Sequence, residues 1–264
     1  MSINRCFNIM DFRRIAKRKL PAPVFHYIDG GADDEWSLRR NTDAYDDYEL
    51  QPTHLSDVSN VSMQSTLFGR DIDWPVMIAP TGASRLFNAG GEPAVARASE
   101  KFGMPYSLST VGTTTIEDVA AVGDHPKVFQ IYVFKDREIT RGFVERCKAS
   151  GYTALCLTVD TPVAGNRERD YVYGMMATAK PALASVPSML RHPGWLYRAV
   201  VRKDMELVNI TGGDNAQQFT DTNVMEFIDN QFDRSLTWKD VEWLAAEWDG
   251  PLIIKGVQTV DDCR

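Results

Sequence analysis

The order of apolar and polar positions along this chain sets helices first and a strand–helix rhythm afterwards. A helical stretch capped by Asp11 is predicted through Leu20, and Pro21 opens a second that ends near Gly30-Gly31. A third starts around Asp33-Asp34 and carries Trp36 and Leu38. After Tyr48 the pattern turns extended and reaches Trp74–Ala79, an apolar run suited to a strand buried on both faces. Then follow a helix over Glu92–Phe102, a strand at Tyr106–Ser109, and Thr114-Thr115-Ile116-Glu117, whose spacing predicts a capping box and a helix closing at Gly123. Strand Val128–Val133 leads to a helix over Arg137–Ser150, and strand Ala154–Val159 to a long irregular stretch. Thr237-Trp238-Lys239-Asp240 caps one more helix, stopping at Gly250, and Leu252–Lys255 is the last strand.

Alternation of this kind predicts parallel βαβ units. The first βα turn, Ala79-Pro80-Thr81-Gly82-Ala83, is not G-x-G-x-x-G, so a dinucleotide-binding doubly wound sheet lacks support. The expectation is an α/β (β/α)8 TIM barrel, truncated after strand 5, with an N-terminal helical segment over 1–50, barrel strands over 74–264 and an insertion or lid over 171–235 after strand 4. The spacing of Thr259-Val260-Asp261-Asp262 predicts a further helix start, and five parallel strands alone do not close a barrel.

Composition narrows the function. With a net charge of -7 the chain has no global positive field to attract phosphate, which argues against a nucleic-acid binder. No apolar run reaches the ~20 residues that span a bilayer, and the first ten residues lack the core of a signal peptide. Cys6, Cys147, Cys156 and Cys263 have no C-x-x-C spacing and read as reduced thiols, with no metal site. The expected setting is cytoplasmic. One segment departs from the acidic whole. Gly174–Lys203 holds Lys180, Arg191, Arg198, Arg202 and Lys203 with no acidic residue, interleaved with Leu183, Met189, Leu190, Trp195, Leu196 and Tyr197. That pattern suits peripheral contact with an inner-membrane surface, and a lid over a site would read similarly.

In a parallel barrel, chemistry collects where strands end. Period-two alternation puts Gln130 and Tyr132 on one side with Ile131 opposite, and Thr158 with Asp160; Ser109 and Lys255 end their own strands. A strand-end hydroxyl or ammonium taken singly usually bonds nearby backbone or water. The Ser109 and Thr158 hydroxyls, the Gln130 amide, the Tyr132 phenol and the Lys255 ammonium, five groups converging on one mouth, raise the functional reading.

Phe25-His26-Tyr27-Ile28-Asp29-Gly30-Gly31-Ala32, Ala79-Pro80-Thr81-Gly82, Gln130-Ile131-Tyr132, Leu157-Thr158-Val159-Asp160-Thr161-Pro162 and Ile254-Lys255-Gly256-Val257 occur in this order. Together they resemble the FMN-dependent 2-hydroxy-acid dehydrogenase and oxidase family, which includes L-lactate dehydrogenases, mandelate dehydrogenase and glycolate oxidase. The resemblance implies that Ala79, Pro80 and Thr81 lie against the flavin ring of FMN. It implies that Ser109, Gln130 and Thr158 bond the ring edge, and that Lys255 stabilises the reduced flavin's negative charge. Tyr27 and Arg167 correspond to the pair that holds the carboxylate of a small 2-hydroxy acid, and an Arg fork suits a planar carboxylate. Tyr132 corresponds to the tyrosine facing the hydroxyl carbon.

The family's catalytic base is a histidine in an S-N-H-G motif. His26, which sequence alone places on the outer face of the second helix, and His54, His125 and His192 do not match it. The resemblance therefore implies that the 264 residues alone lack turnover and hold flavin weakly, and that the complete protein is a homo-oligomer, a tetramer. Gly82, where glycolate oxidases have Ala, would leave more room beside the flavin. With the R-E-R-D wording of Asn166-Arg167-Glu168-Arg169-Asp170 it leans towards a dehydrogenase passing electrons to quinone or another acceptor. The alternatives are an oxygen-reducing oxidase and a non-catalytic fragment.

Overall fold

In a computed structural model of the chain, residues 2–163, 165–174, 185–211 and 230–264 are described. Three helices come first, α1 (Ile9–Lys19), α2 (Ala22–Asp29) and α3 (Trp36–Asp43), then an antiparallel hairpin, β1 (Ser65–Leu67) and β2 (Arg70–Ile72). The next elements are α4 (Ser84–Phe87), α5 (Gly91–Lys101), β3 (Tyr106–Ser109), α6 (Ile116–Ala120), β4 (Lys127–Ile131), α7 (Arg137–Ala149) and β5 (Ala154–Thr158). They are followed by α8 (Glu168–Tyr173), α9 (Val186–Leu190), α10 (Pro193–Leu196), a π-type turn over Tyr197–Arg202, α11 (Val208–Thr211), α12 (Trp238–Trp248) and β6 (Leu252–Lys255).

The chain divides into two compact units. One joins Met1–Val61 to Gly165–Asp204; the other joins Ser62–Ala164 to Met205–Arg264. In the first, α2 packs on α8, and the Ala22 N–H donates to Ser188 Oγ at 2.8 Å. Asn166 Nδ2 likewise reaches Asp33 Oδ1 at 3.0 Å.

The second unit is built on a parallel sheet in the order β3-β4-β5-β6, each strand bonded to its sequence neighbour. Alternation gives the sheet two unlike faces. Tyr106, Leu108, Phe129, Ile131, Leu155 and Leu157 point to the helices, where Phe143, Val144 and Cys147 of α7 and Leu244 and Trp248 of α12 cover them. Full burial of one such Phe or Leu contributes roughly 1.5–3 kcal/mol. The opposite face is apolar only at one end, where Val128, Ala154 and Cys156 meet Phe68 and Met77. Its other end carries Ser109, Gln130, Thr158 and Lys255.

Several expectations shift. The run Trp74–Ala79 is not a regular strand: only Ile78 pairs, in a parallel bridge to Tyr106, while Trp74 and Val76 are 44% and 53% exposed. Pro75 has no N–H to give a ladder, and Ile78 pairs on one side alone. The cap of α1 is Asn8, which accepts the Asp11 N–H at 2.9 Å; Asp11 instead accepts the Phe7 N–H at 3.0 Å. The cap of α6 is Thr115, accepting from Asp118 N at 3.1 Å, and Thr114 is released for another bond described below. At Thr237 the expected box forms: the Asp240 carboxylate accepts the Thr237 N–H at 2.8 Å. The left-handed stop falls on Asp249 at φ 54°, not on Gly250. The described parts of the stretch after β5 are irregular chain interrupted by short helices. Lys180 and Leu183 lie outside the described residues, as does much of the 171–235 insertion.

Candidate active site

The register brings the sheet residues together. Ser109 lies opposite Gln130, and Thr158 opposite Lys255. Ser109 Oγ donates to Gln130 Oε1 at 2.9 Å, which turns the amide nitrogen of Gln130 outward. Gln130 Nε2 and Thr158 Oγ1 are both buried with no hydrogen-bond partner among the described residues. Two orphaned polar atoms on one sheet face are costly, about 1–3 kcal/mol each, unless something outside the chain bonds them. Lys255 Nζ stands 3.7 Å from Asp160 Oδ2. Gly256, at φ 109°, allows that approach: a Cβ there would come within 2.6 Å of Asp160 Cβ.

The segment Ala79-Pro80-Thr81-Gly82 runs from Ile78 to α4. Ala79 and Thr81 are exposed and Pro80 is half-buried, so this backbone is accessible at its surface. The room beside Gly82 is not open, because Val111 Cγ2 lies 2.5 Å from where a Cβ would be. The Ala83 N–H donates to Val111 O at 2.8 Å and fixes the two segments together.

Glu92, read in the sequence only as a helix start, is wholly buried. Its Oε1 accepts from Thr113 N at 2.8 Å and Ser84 N at 3.2 Å, and its Oε2 from the hydroxyls of Thr113 at 2.7 Å and Thr114 at 2.8 Å. Burial alone would raise the Glu92 carboxyl, but bonds from the Thr113 N–H and the two threonine hydroxyls outweigh it and hold the group below its usual range. Nothing in local periodicity marks a buried acid at this place. The pair Thr114-Thr115, read as capping chemistry, was the available hint.

Tyr132 follows the last paired residue of β4, where strict alternation ends. Its ring meets Phe232 edge-on at 5.0 Å. Tyr132 and Thr158 line a cavity of about 370 Å³ with Phe232, Leu236, Ile254 and Gly256; Ser109, Gln130 and Lys255 are not in its lining.

Tyr27 and Arg167 belong to the first unit, and the fold does bring them together. Arg167 NH2 donates to Tyr27 O, and the guanidinium lies 5.0 Å from the Tyr27 ring centre. Arg167 Nε donates to Asp170 Oδ2 at 2.7 Å, and that carboxylate is buried. Arg169 bonds Asp29 at 3.1 Å and Glu35 at 2.7 Å, locking α8 to α2 and the residues before α3. His26 is not on an outer face: its ring stacks on Tyr173 at 3.8 Å, and burial lowers its pKa, with the Arg169 charge adding to the effect.

The second unit is thus a parallel α/β sheet whose strand ends offer a hydroxyl, an amide and an ammonium to a planar polar ligand. Residues 16–264 match the pattern of the FMN-dependent dehydrogenases. An L-lactate dehydrogenase of Vibrio parahaemolyticus is 40% identical over 258 residues, 96% of this chain and 67% of that protein. One of Pseudomonas aeruginosa is 40% identical over 96% of this chain and 66% of its own length. The chain spans about two thirds of the length of these relatives. Among solved structures, that of the monotopic membrane protein (S)-mandelate dehydrogenase superposes with a TM-score of 0.89 at 33% identity, over 98% of this chain and 68% of the other. A mandelate oxidase superposes with a TM-score of 0.77 at 28% identity, over 98% of this chain and 64% of the other. This chain belongs to the FMN-dependent dehydrogenase family, an oxidoreductase family that uses FMN. The orphaned Gln130 amide and Thr158 hydroxyl, beside Ser109 and Lys255, fit the oxygen and nitrogen edge of such a ring.

Proposed function

We propose that this chain carries the flavin-edge and carboxylate-binding residues of an FMN-dependent dehydrogenase that oxidises an L-2-hydroxy acid, L-lactate or a mandelate-like acid, to the 2-oxo acid. The observation that carries it is the pair of buried atoms on the Gln130 and Thr158 side chains that have no partner among the described residues, in register with Ser109 and Lys255. In this reading the sheet is part of a (β/α)8 barrel. FMN, when bound, accepts the two electrons of the oxidation.

The chain's own residues then have distinct tasks. Ser109, Gln130 and Thr158 bond the ring edge, and Ala79, Pro80 and Thr81 lie along its face. Lys255 supplies a fixed positive charge where negative charge develops on reduction, which costs no reorganisation at that moment. Arg167, oriented by the buried Asp170, holds the substrate carboxylate with Tyr27. Tyr132 faces the hydroxyl carbon, with Phe232 supporting its ring.

In this reading none of the four histidines serves as the base that takes the substrate proton. His26 is stacked under Tyr173, His125 is bonded to Glu100, His192 is bonded to the Ser188 and Arg18 carbonyls, and His54 lies in exposed chain. The 264 residues by themselves are therefore expected to bind FMN weakly and without turnover. Titration of the chain with FMN, followed by L-lactate under anaerobic conditions, tests this. A bound yellow flavin that lactate does not bleach is expected; bleaching would show that a base is present after all. In a complete enzyme, hydrogen peroxide formed without added acceptor would mark an oxidase, the second reading, which the structural likeness to a mandelate oxidase favours.

The basic, apolar segment 174–203 is proposed to contact anionic lipid. In its described part, Leu190, Tyr197, Val200 and Val201 are exposed near Arg191, Arg198, Arg202 and Lys203. Among the described residues no helix is long and apolar enough to cross a membrane. Electrons would then leave towards quinone or a similar acceptor, and the complete protein is proposed to be a homotetramer.

A further inference from the structure

We propose that Glu92 is a positioning residue: its buried carboxylate clamps the loop beneath the flavin face to the loop at the flavin edge, and so sets flavin affinity without touching the flavin. The inference rests on the flavin reading above.

Removing a carboxylate from water costs several kcal/mol even after relaxation, so an ionised acid with no solvent exposure needs specific compensation. Glu92 receives it from two separate places in the chain. Ser84 N comes from the segment continuing Ala79-Pro80-Thr81-Gly82, and Thr113 N, Thr113 Oγ1 and Thr114 Oγ1 from the segment continuing Ser109. The first turn of α5, an eleven-residue helix, adds the favourable end of its dipole.

The clamp has further ties. Thr113 Oγ1, while donating to Glu92, accepts the Arg85 N–H at 3.2 Å, and Ala83 N reaches Val111 O at 2.8 Å. Residues 82–85 and 109–114 therefore meet around one carboxylate. Most of these bonds end on Glu92 or on the hydroxyl it orients. A carboxylate only accepts, and all its partners donate. An amide of the same size offers one acceptor oxygen, and its NH2 confronts two hydroxyl protons that must turn elsewhere. The negative charge, more than the volume, holds the loops in register. Neither Ser109 nor Ala79–Thr81 is altered by losing it, but their spacing is.

The test compares FMN affinity and the visible band of bound flavin in the whole 264-residue chain and in Glu92→Gln. Leu244→Ala serves as a control that weakens the core on α12 at a residue that is none of the groups bonded to Glu92. All are measured at a temperature where each is folded. We expect Glu92→Gln to bind FMN at least about tenfold more weakly, with the visible band displaced. Leu244→Ala should keep wild-type affinity and band position, because stability alone is not the cause. Equal affinity in Glu92→Gln and wild type, or an equal loss in Leu244→Ala, overturns the proposal. If Glu92→Gln does not fold, Thr114→Val carries the test, since it keeps the charge and removes one of its donors. A several-fold loss of affinity is expected, and none would overturn the clamp. A wild-type chain that binds no FMN overturns the flavin reading itself, an outcome distinct from the others.

Discussion

Thr158 shows what a single atom can say. Its hydroxyl oxygen is buried with no partner among the described residues, although it ends a well-paired strand. Valine has nearly the same shape and nothing to satisfy. Thr158→Val is expected to leave the flavin-free protein as stable or more stable, by up to about 1 kcal/mol, because an unmet hydrogen bond disappears. FMN binding should weaken several-fold in the same variant. Thermal unfolding without flavin and an FMN titration check the two halves, and a destabilised flavin-free protein would mean the hydroxyl already has a partner. Ser109, Gln130, Thr158 and Lys255 were legible in the sequence because a strand's period of two is fixed by its pleat. Glu92 was not, because a helix start looks the same whether its acid faces water or two distant threonines. The role of Val111 beside Gly82 was hidden for the same reason, since it depends on a neighbour almost thirty positions away.

Between elements, the α2–α8 contact makes the first unit sensitive to acid. His26 of α2 stacks on Tyr173 of α8 with its Nδ1 buried and unpartnered among the described residues. Burial, then the charge of Arg169, lowers its pKa from the ordinary 6.5. The unfolded chain therefore takes up this proton more readily than the folded one. The contribution of neutral His26 is present in full above about 6.5 and is lost as pH falls below that value. His26→Phe keeps a ring for the stack and removes the titration. Its urea midpoint is expected to fall less than that of wild type between pH 7 and 5.5, and identical falls would place the acid sensitivity elsewhere. At this scale the sequence located α7, α12 and β3 to β6 to within one or two residues, since cap chemistry and Gly stops are local. It misplaced the caps of α1 and α6, where nearby side chains, Asn8 with Asp11 three positions on and Thr114 with Thr115, compete for one role.

At the scale of the whole molecule, the first unit is assembled from two stretches far apart in the chain, Met1–Val61 and Gly165–Asp204. No periodicity announces such a pairing; the Ala22–Ser188 and Asp33–Asn166 bonds that make it exist only after folding. The same unit holds the exposed Tyr197, Val200 and Val201. Replacing all three by serine is expected to cut co-sedimentation with phosphatidylserine-containing vesicles several-fold at low salt, with neutral vesicles as the control. Unchanged pelleting would point to a contact other than lipid. In the second unit the sheet ends its pairing at Ile78, held by Ile78 N to Pro105 O at 3.0 Å and Ser107 N to Ile78 O at 3.1 Å. Two bonds are a small hinge. The Ile78 bridge can open while β3 to β6 stay whole and the Ala83–Val111 and Ser84–Glu92 bonds keep hold of the segment beyond it, a local step cheaper than global denaturation. The Ser107 amide should accordingly exchange with deuterium well before those of Phe129 and Leu155, making the edge proposed to wall the flavin the first part of the sheet to breathe.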